Sequence, residues 1–262
     1  GIGGTAAAAL LDDEPLQIIG NAMAEGSPSR QINTRPQTRQ FNYTQIFKLP
    51  FGVTNTLKAT KLYGGNDLDY QRKKKGVEHR LDIERAFLFG ERSIDVTTYD
   101  HPLRTTGGLL ERITTNVMDA GQGAPTEAEV DSWAEMLFDK GSDTKIVFAS
   151  NAFLTAVASF AKNRLIIEQG EKTYGLKIGT YVTPFGTMKI VPHKLLTGVV
   201  YGNYAIGVDL KNVKYVNLKG RGTKLESNIQ GNDEDRQKDQ YITECGLKVK
   251  LEETHSLLFW QP

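Results

Sequence analysis

The residues of this chain best suited to chemistry are four histidines, one cysteine, a run of cations and a run of acids. His79, His101, His193 and His255 stand far apart, and none has a partner at the spacing of a metal motif. Cys245 is the only cysteine, which excludes an intramolecular disulfide and an all-cysteine metal site. Neither a Gly-x-Ser-x-Gly nucleophile elbow nor a phosphate-loop lysine motif occurs. Gly121-Gln122-Gly123 and Gly220-Arg221-Gly222 lack the third glycine of a dinucleotide loop and read as turns. Asn232-Asp233-Glu234-Asp235 lacks the glycine and closing glutamate of a calcium loop, so it reads as a solvated acidic loop. The cation run Arg72-Lys73-Lys74-Lys75 has two readings. It is either a wetted helix face balanced by Asp69, Glu78 and Asp82, or a patch facing phosphate or a neighbouring subunit. No catalytic, cofactor-binding or metal-ligating residue is expected, and no enzymatic activity.

Composition sets the wider bounds. The 262 residues can bury one large core or two small ones, and 39% are hydrophobic against 24% charged, as in ordinary globular proteins. Lys plus Arg number 32 and Asp plus Glu 31, so no global charge points at nucleic acid or membrane. The apolar run Ala6–Leu11 is too short to span a bilayer, and no membrane partner is expected. A single thiol fits a reducing compartment. The chain starts at Gly1 without methionine, and sequence upstream of it is expected in the gene product.

The elements that would position these residues follow from local pattern. Residues 1–14 read as a flexible arm. Pro15–Ile19 reads as a strand, Glu25–Gln40 as a polar tip, and 15–49 as one long hairpin with Phe41, Tyr43 and Phe47 on one side. Pro50 interrupts that alternation, and 51–59 reads as a strand leading inward. A helix is predicted over 66–90, capped by Asn66 or Asp67 and stopped at Gly90, with Tyr70, Val77, Leu81 and Leu88 as its apolar stripe and Gly76 as a mild flaw. Thr126 and Glu129 form a capping box ahead of Val130, Trp133, Ala134, Leu137 and Phe138. Lys145–Ala149 reads as a strand, and Ser150 caps a third helix. Strands follow at 177–183 and 187–191 around Pro184-Phe185-Gly186, then near 199–207, 213–218, 241–252 and 254–260. The class is α+β, with the helices gathered in the middle.

Six groups of segments carry a resemblance. They are Asn42-Tyr43-Thr44-Gln45-Ile46-Phe47, Asp82–Gly90, Thr106-Gly107-Gly108-Leu109-Leu110, Thr115–Gly121, Pro184-Phe185-Gly186 with Ile190-Val191-Pro192-His193, and Glu252–Leu257. In this order, across residues 41–260, the chain resembles the tailed-bacteriophage major capsid proteins. The resemblance implies an N-terminal arm at 1–14 and an extended loop at 15–62. It implies a peripheral (P) domain at 63–125 and 213–262 around a spine helix at 66–90, and an axial (A) domain at 126–212. The family carries more sequence ahead of the extended loop than this chain does.

By that resemblance the chain self-assembles as hexamers and pentamers into an icosahedral head shell around double-stranded DNA, held by non-specific contact. It would assemble in the host bacterial cytoplasm and end in the virion, with portal, scaffolding and cement proteins as further partners. Candidate inter-subunit residues are Ile18, Arg30, Arg35, Arg39, Phe41, Tyr43 and Phe47. Arg72, Lys73, Lys74 and Lys75 are candidates for DNA-facing or inter-subunit charges. Two alternatives stand beside this: a protein-cargo nanocompartment of the same fold, and a soluble enzyme or binding module.

Overall fold

A computed structural model describes residues 20, 22–29, 34, 36, 38–60, 67–160, 165–166 and 179–261. The chain divides into a short unit, residues 1–40, and a large one, residues 41–262. Within the short unit the described residues are irregular apart from one turn at Glu25-Gly26. There the Ser27 amide and hydroxyl both donate to the Ala24 carbonyl, at 3.1 and 2.7 Å. The strand expected at Pro15–Ile19 lies outside the described residues.

The large unit opens with strand β1 (Gln45–Thr54) and the short helix α1 (Asn55–Ala59). Next come helix α2 (Asp67–Phe89), strands β2 (Ser93–Asp95) and β3 (Leu103–Thr105), helix α3 (Leu109–Arg112) and strand β4 (Val117–Gln122). A mixed block follows: α4 (Glu127–Phe138), β5 (Thr144–Ala149), α5 (Asn151–Phe160), β6 (Leu165–Ile166), β7 (Gly179–Thr183), β8 (Gly186–Pro192), α6 (Gly198–Tyr201) and β9 (Tyr204–Val208). Strands β10 (Val213–Asn217), β11 (Lys224–Glu226), β12 (Arg236–Val249) and β13 (Ser256–Gln261) complete it. The α+β class holds. A seven-stranded sheet runs β4-β13-β9-β5-β8-β7-β6, a four-stranded sheet runs β1-β12-β10 with β11 also on β12, and β2 pairs β3.

Among the described residues strand β1 pairs with β12, running antiparallel to it over ten residues, from Gln45↔Cys245 to Thr54↔Arg236; the first strand of the expected 15–49 hairpin lies outside the described residues. Pro50 does not interrupt β1, because among the described residues it is an edge strand and its alternation passes straight through: Phe47, Phe51 and Val53 are buried while Ile46, Lys48, Pro50 and Gly52 are exposed. The side that points inward is therefore set by β12 and by the helix behind it. Residues 55–59, expected to continue a strand, instead turn into α1, whose first turn Thr54 caps by accepting from the Leu57 amide.

Helix α2 covers Asp67–Phe89 and ends ahead of Gly90 as predicted, but its buried face is not the predicted stripe. Leu68 and His79, eleven residues or about three turns apart, face the four-stranded sheet and are buried. Tyr70 and Val77 lie on the opposite side, 61% and 57% exposed. The stripe from Tyr70 to Leu88 exists geometrically, yet only its C-terminal end is covered, where Leu88 packs with Leu109, Ile113 and Leu196. Gly76 is no flaw: a Cβ there would sit 3.2 Å from the Tyr241 hydroxyl, so glycine lets the sheet approach the helix. Tyr241 uses that approach to donate to the Arg72 carbonyl at 3.1 Å and to join Phe51, Val53 and Leu68 in one cluster.

The block around α4 is the largest core: Val130, Trp133, Ala134 and Leu137 meet Val147, Phe153, Tyr181, Met188 and Leu258. The capping box forms as predicted, with Glu129 bonded to the Thr126 amide and hydroxyl at 2.7 and 2.8 Å. Gly141 follows the helix at φ +93°, a conformation side chains rarely adopt. The Ser150 hydroxyl accepts from the Phe153 amide at 3.2 Å and so caps α5.

Candidate assembly surface

The polar and titratable residues fall into latches between elements. At one, Asn42 spends both ends of its amide. Its Nδ2 donates to the Gly107 and Leu247 carbonyls at 2.9 and 2.8 Å, while its Oδ1 accepts from the Gly107 and Tyr43 amides at 2.8 and 2.9 Å. Gly90 and Gly108 are packed backbone to backbone here: a Cβ on Gly108 would meet the Ala86 carbonyl at 2.8 Å and the Gly90 nitrogen at 2.9 Å. Segments far apart in sequence, 42–45, 86–90, 106–109 and 246–247, thus close on one junction at the end of α2.

A second latch ties the 114–116 turn to the entry of β13. Glu252 accepts from the amides of Thr114 and Thr115 and from the Thr115 hydroxyl, at 2.7, 2.8 and 2.7 Å. Burial pushes the Glu252 carboxyl up, but these donors outweigh it and hold it below the usual range. Asn116 donates to the Glu253 carbonyl at 2.7 Å. A third latch joins α2 to the mixed block through His193 Nε2 and Glu84, 2.9 Å apart.

The buried charges are also structural. Lys145 donates to the carbonyls of Leu137, Lys140 and Thr254, closing the C-terminal end of α4, and burial lowers its pKa. Asp209 accepts from the Ser142 amide and hydroxyl and from the Lys211 amide. The His255 Nδ1 accepts from the Asp209 amide at 3.2 Å, which puts the ring proton on Nε2, and burial keeps the ring neutral by lowering its pKa. His79 is likewise lowered by burial and meets the Thr243 hydroxyl at 2.7 Å. Burial pushes the Cys245 thiol up to about 11, so it is no nucleophile. His101 is exposed. Among the described residues no group of three or more histidine, cysteine and acidic side chains could hold a metal. Two surface depressions, one lined by Phe51, Val53 and Arg236 and the other by Phe89, Arg92 and Tyr201, contain no histidine, cysteine or serine.

The cation run splits by helical phase. Arg72 turns inward and pairs at 2.8 Å with Asp239, whose carboxyl is fully buried, and at 3.2 Å with Asp69. Burial raises Asp239, but the Asn228 amide, Arg72 and Gln237 together hold its pKa low. Lys75 pairs with Glu78 at 2.5 Å. Only Lys73 and Lys74 remain on the open face. The acidic run is a solvated loop, Glu234 pairing with Arg236 and Asp235 accepting from Asn55.

The aromatic candidates split too. Phe47 is 7% exposed, buried between β12 and α2, so it is not an open contact for another chain. Phe41 is 60% exposed; its ring meets Tyr43 edge-on at 5.4 Å and lies 4.6 Å beneath the Arg92 guanidinium. Arg92 and Arg112 both donate to the Phe41 carbonyl, at 2.8 and 2.6 Å, so the exposed ring sits on a rigid base. Arg39 is exposed in irregular chain. Ile18, Arg30 and Arg35 lie outside the described residues. Sequence reading missed the hairpin of β2 and β3, which exposes Ile94, Val96, Tyr99 and Leu103 within thirteen residues. Its signal was those four apolar residues, three ahead of the His101-Pro102 turn and one after it.

The chain matches the SU10 major capsid protein family over residues 5–259, and it belongs to that family of structural, non-enzymatic proteins. It is 23% identical to a "Major capsid protein" of Pseudomonas phage PaMx41 over 89% of its own length and spans 59% of that relative. Among solved structures it is similar to the capsid of a native GTA particle (TM-score 0.61, 10% identity, 93% of this chain and 82% of that one). It is also similar to the holo-SrpI encapsulin complex from Synechococcus elongatus (TM-score 0.54, 12% identity, 82% and 73%).

Proposed function

We propose that copies of this chain assemble as hexamers and pentamers into the icosahedral head of a tailed phage, enclosing double-stranded DNA by non-specific contact. The family match over residues 5–259 is the observation that carries this reading. Physical support comes from the surface. Phe41 is exposed beside a carbonyl held by Arg92 and Arg112, Ile94 and Leu103 are exposed on the paired strands β2 and β3, and Val96 and Tyr99 in the loop between them; a two-stranded ribbon such as β2–β3 gains stability chiefly from what packs on it. Phe41 and Tyr43, with Arg39, are the contact candidates among the described residues. In this reading the arm is 1–14, the extended loop 15–62, the peripheral domain 63–125 with 213–262, and the axial domain 126–212. The base of the loop from Gln45 onward is anchored on β12. Portal, scaffolding and cement proteins are its further partners, and assembly takes place in the bacterial cytoplasm.

The nanocompartment reading shares this fold and is favoured by the encapsulin likeness alone, whereas the family match favours the phage head. Sedimentation velocity on purified protein, followed by nuclease treatment and DNA extraction, tests both. Fast-sedimenting particles of many copies, able to protect DNA when formed in a phage-producing cell, are expected. Particles that only ever enclose protein would shift the reading to the nanocompartment. A single slow species near the 29.0 kDa chain mass under all conditions would overturn it.

A further inference from the structure

We propose that His79 is a pH-sensitive pin: its neutral ring seats the middle of helix α2 on strand β12, and a second proton on that ring releases the seat. The inference stands apart from the shell reading and rests on how α2 is held. Of its 23 residues only Leu68, His79 and Leu88 are buried. Leu68 lies eleven residues before His79 and Leu88 nine after it, roughly 16 and 14 Å along the rod. Apolar anchors therefore hold the two ends, and a titratable ring holds the middle. The Arg72–Asp239 pair lies nearer the first end. Gly76, one turn before His79, lets Tyr241 come close and is the weakest helix former of that stretch.

The seat is built for a neutral ring. His79 is 1% exposed and stacks on Tyr241 with 5.9 Å between centroids. Its Nε2 lies 2.7 Å from the Thr243 hydroxyl, which donates onward to the Thr223 hydroxyl at 2.9 Å, so Nε2 carries the hydrogen and donates. A second proton must go to Nδ1, where burial works against the charge. Two carboxylates face this region. Asp82, which favours the charged ring, is paired with Arg85 at 2.8 Å, and Asp239 on β12 is paired with Arg72. Neither is free to become the partner of an imidazolium. On α2, Lys75 is paired with Glu78. The same face of β12 also presents Tyr241 and Cys245, and β10 presents Tyr215; burial pushes the Cys245 thiol and the Tyr215 phenol up, so both stay neutral. The facing residues of β1, Gln45, Phe47, Leu49, Phe51 and Val53, and Leu225 of β11 do not titrate. In the loop that carries Thr223, Lys219 is exposed and Arg221 is paired with Glu244.

The test is amide hydrogen exchange of unassembled full-length subunits at about pH 7.5 and about pH 5.5, corrected for intrinsic rates, over residues 75–83 and over helix α4. A released ring titrates at its ordinary 6.5, so the seat is complete above that value and weakens as pH falls below it. Across this range the released fraction rises about tenfold while the seated ring stays neutral. Exchange at 75–83 should rise about tenfold, and by more than in α4. In His79→Gln, which keeps an N–H donor for Thr243 but cannot titrate, that rise should vanish. His79→Met carries the same comparison if the glutamine variant does not fold. The proposal is overturned if the original protein exchanges equally at both pH values, or if the variant accelerates as much as the original. It is also overturned if α4 accelerates by the same factor in the original, since the whole chain would then be opening rather than the helix releasing. None of these outcomes involves particle formation, so the shell reading stands or falls separately.

Discussion

Replacing Phe47 and Phe41 separately by alanine should give opposite phenotypes, because the two rings sit on opposite sides of the chain's own surface. Phe47 is 7% exposed and Phe41 60%. Removing a buried phenyl costs its transfer free energy plus the cavity it leaves, about 3–5 kcal/mol. Phe41 has little burial to lose. Its edge contact with Tyr43 and its place under Arg92 are worth about 0.5–1 kcal/mol each, so Phe41→Ala should cost no more than about 2 kcal/mol. Urea denaturation of unassembled subunits, followed by near-ultraviolet circular dichroism, reads this directly: the midpoint should fall far more for Phe47→Ala, with an unchanged slope. In assembly assays the order should reverse relative to stability. Phe41→Ala should fold and yet form few particles, because the proposed assembly buries its exposed ring against a neighbour. Equal stability losses for the two variants would refute the placement of β1 on β12. Normal particles from a well-folded Phe41→Ala would refute the contact role of Phe41.

Asp239→Asn removes the charge from a fully buried carboxylate that Arg72 and the Asn228 amide hold, and should cost roughly 1.5–3 kcal/mol; a double-mutant cycle with Arg72→Met should show coupling, and additive losses would contradict it. Gly108→Ala places a methyl against backbone atoms that cannot yield, and should destabilise by roughly 1–3 kcal/mol in thermal melts. Burial lowers both His79 and His255, so the unfolded chain binds more protons than the folded one below about pH 6.5. Stability is complete above the unfolded pKa and declines as pH falls from there toward the depressed folded values. Urea midpoints taken from about pH 7.5 down to 5.5 should drop, and a flat profile would contradict the neutral burial of these rings.

Local chemistry was legible in the sequence and non-local pairing was not. The Thr126–Glu129 box, the Gly141 stop and the C-terminal limit of α2 follow from residues within a few positions of one another, and the structure has them. The partner of β1 could not be read locally, since Gln45 meets Cys245 across two hundred residues. Without that partner Pro50 looks like a break, although an edge strand tolerates it. The stripe from Tyr70 to Leu88 was correct in phase but silent about coverage: what buries Leu68 and His79 is a sheet whose main strand begins at Arg236. The cation run likewise hid its division, because Asp239 claims Arg72 from 167 positions away. Segments such as Asn42–Gln45 and Thr106–Leu109 carried the family resemblance while giving no sign of why; their shared junction at the end of α2 is the physical reason these residues are found together.

Electron cryo-microscopy of particles formed by the purified protein tests the central claim most directly. Closed shells of hexameric and pentameric capsomers are predicted, with α2 intact in every subunit and the Phe41 ring buried against a neighbouring copy. Protein that stays as separate subunits, or forms shells in which Phe41 faces solvent at every contact, would contradict the account.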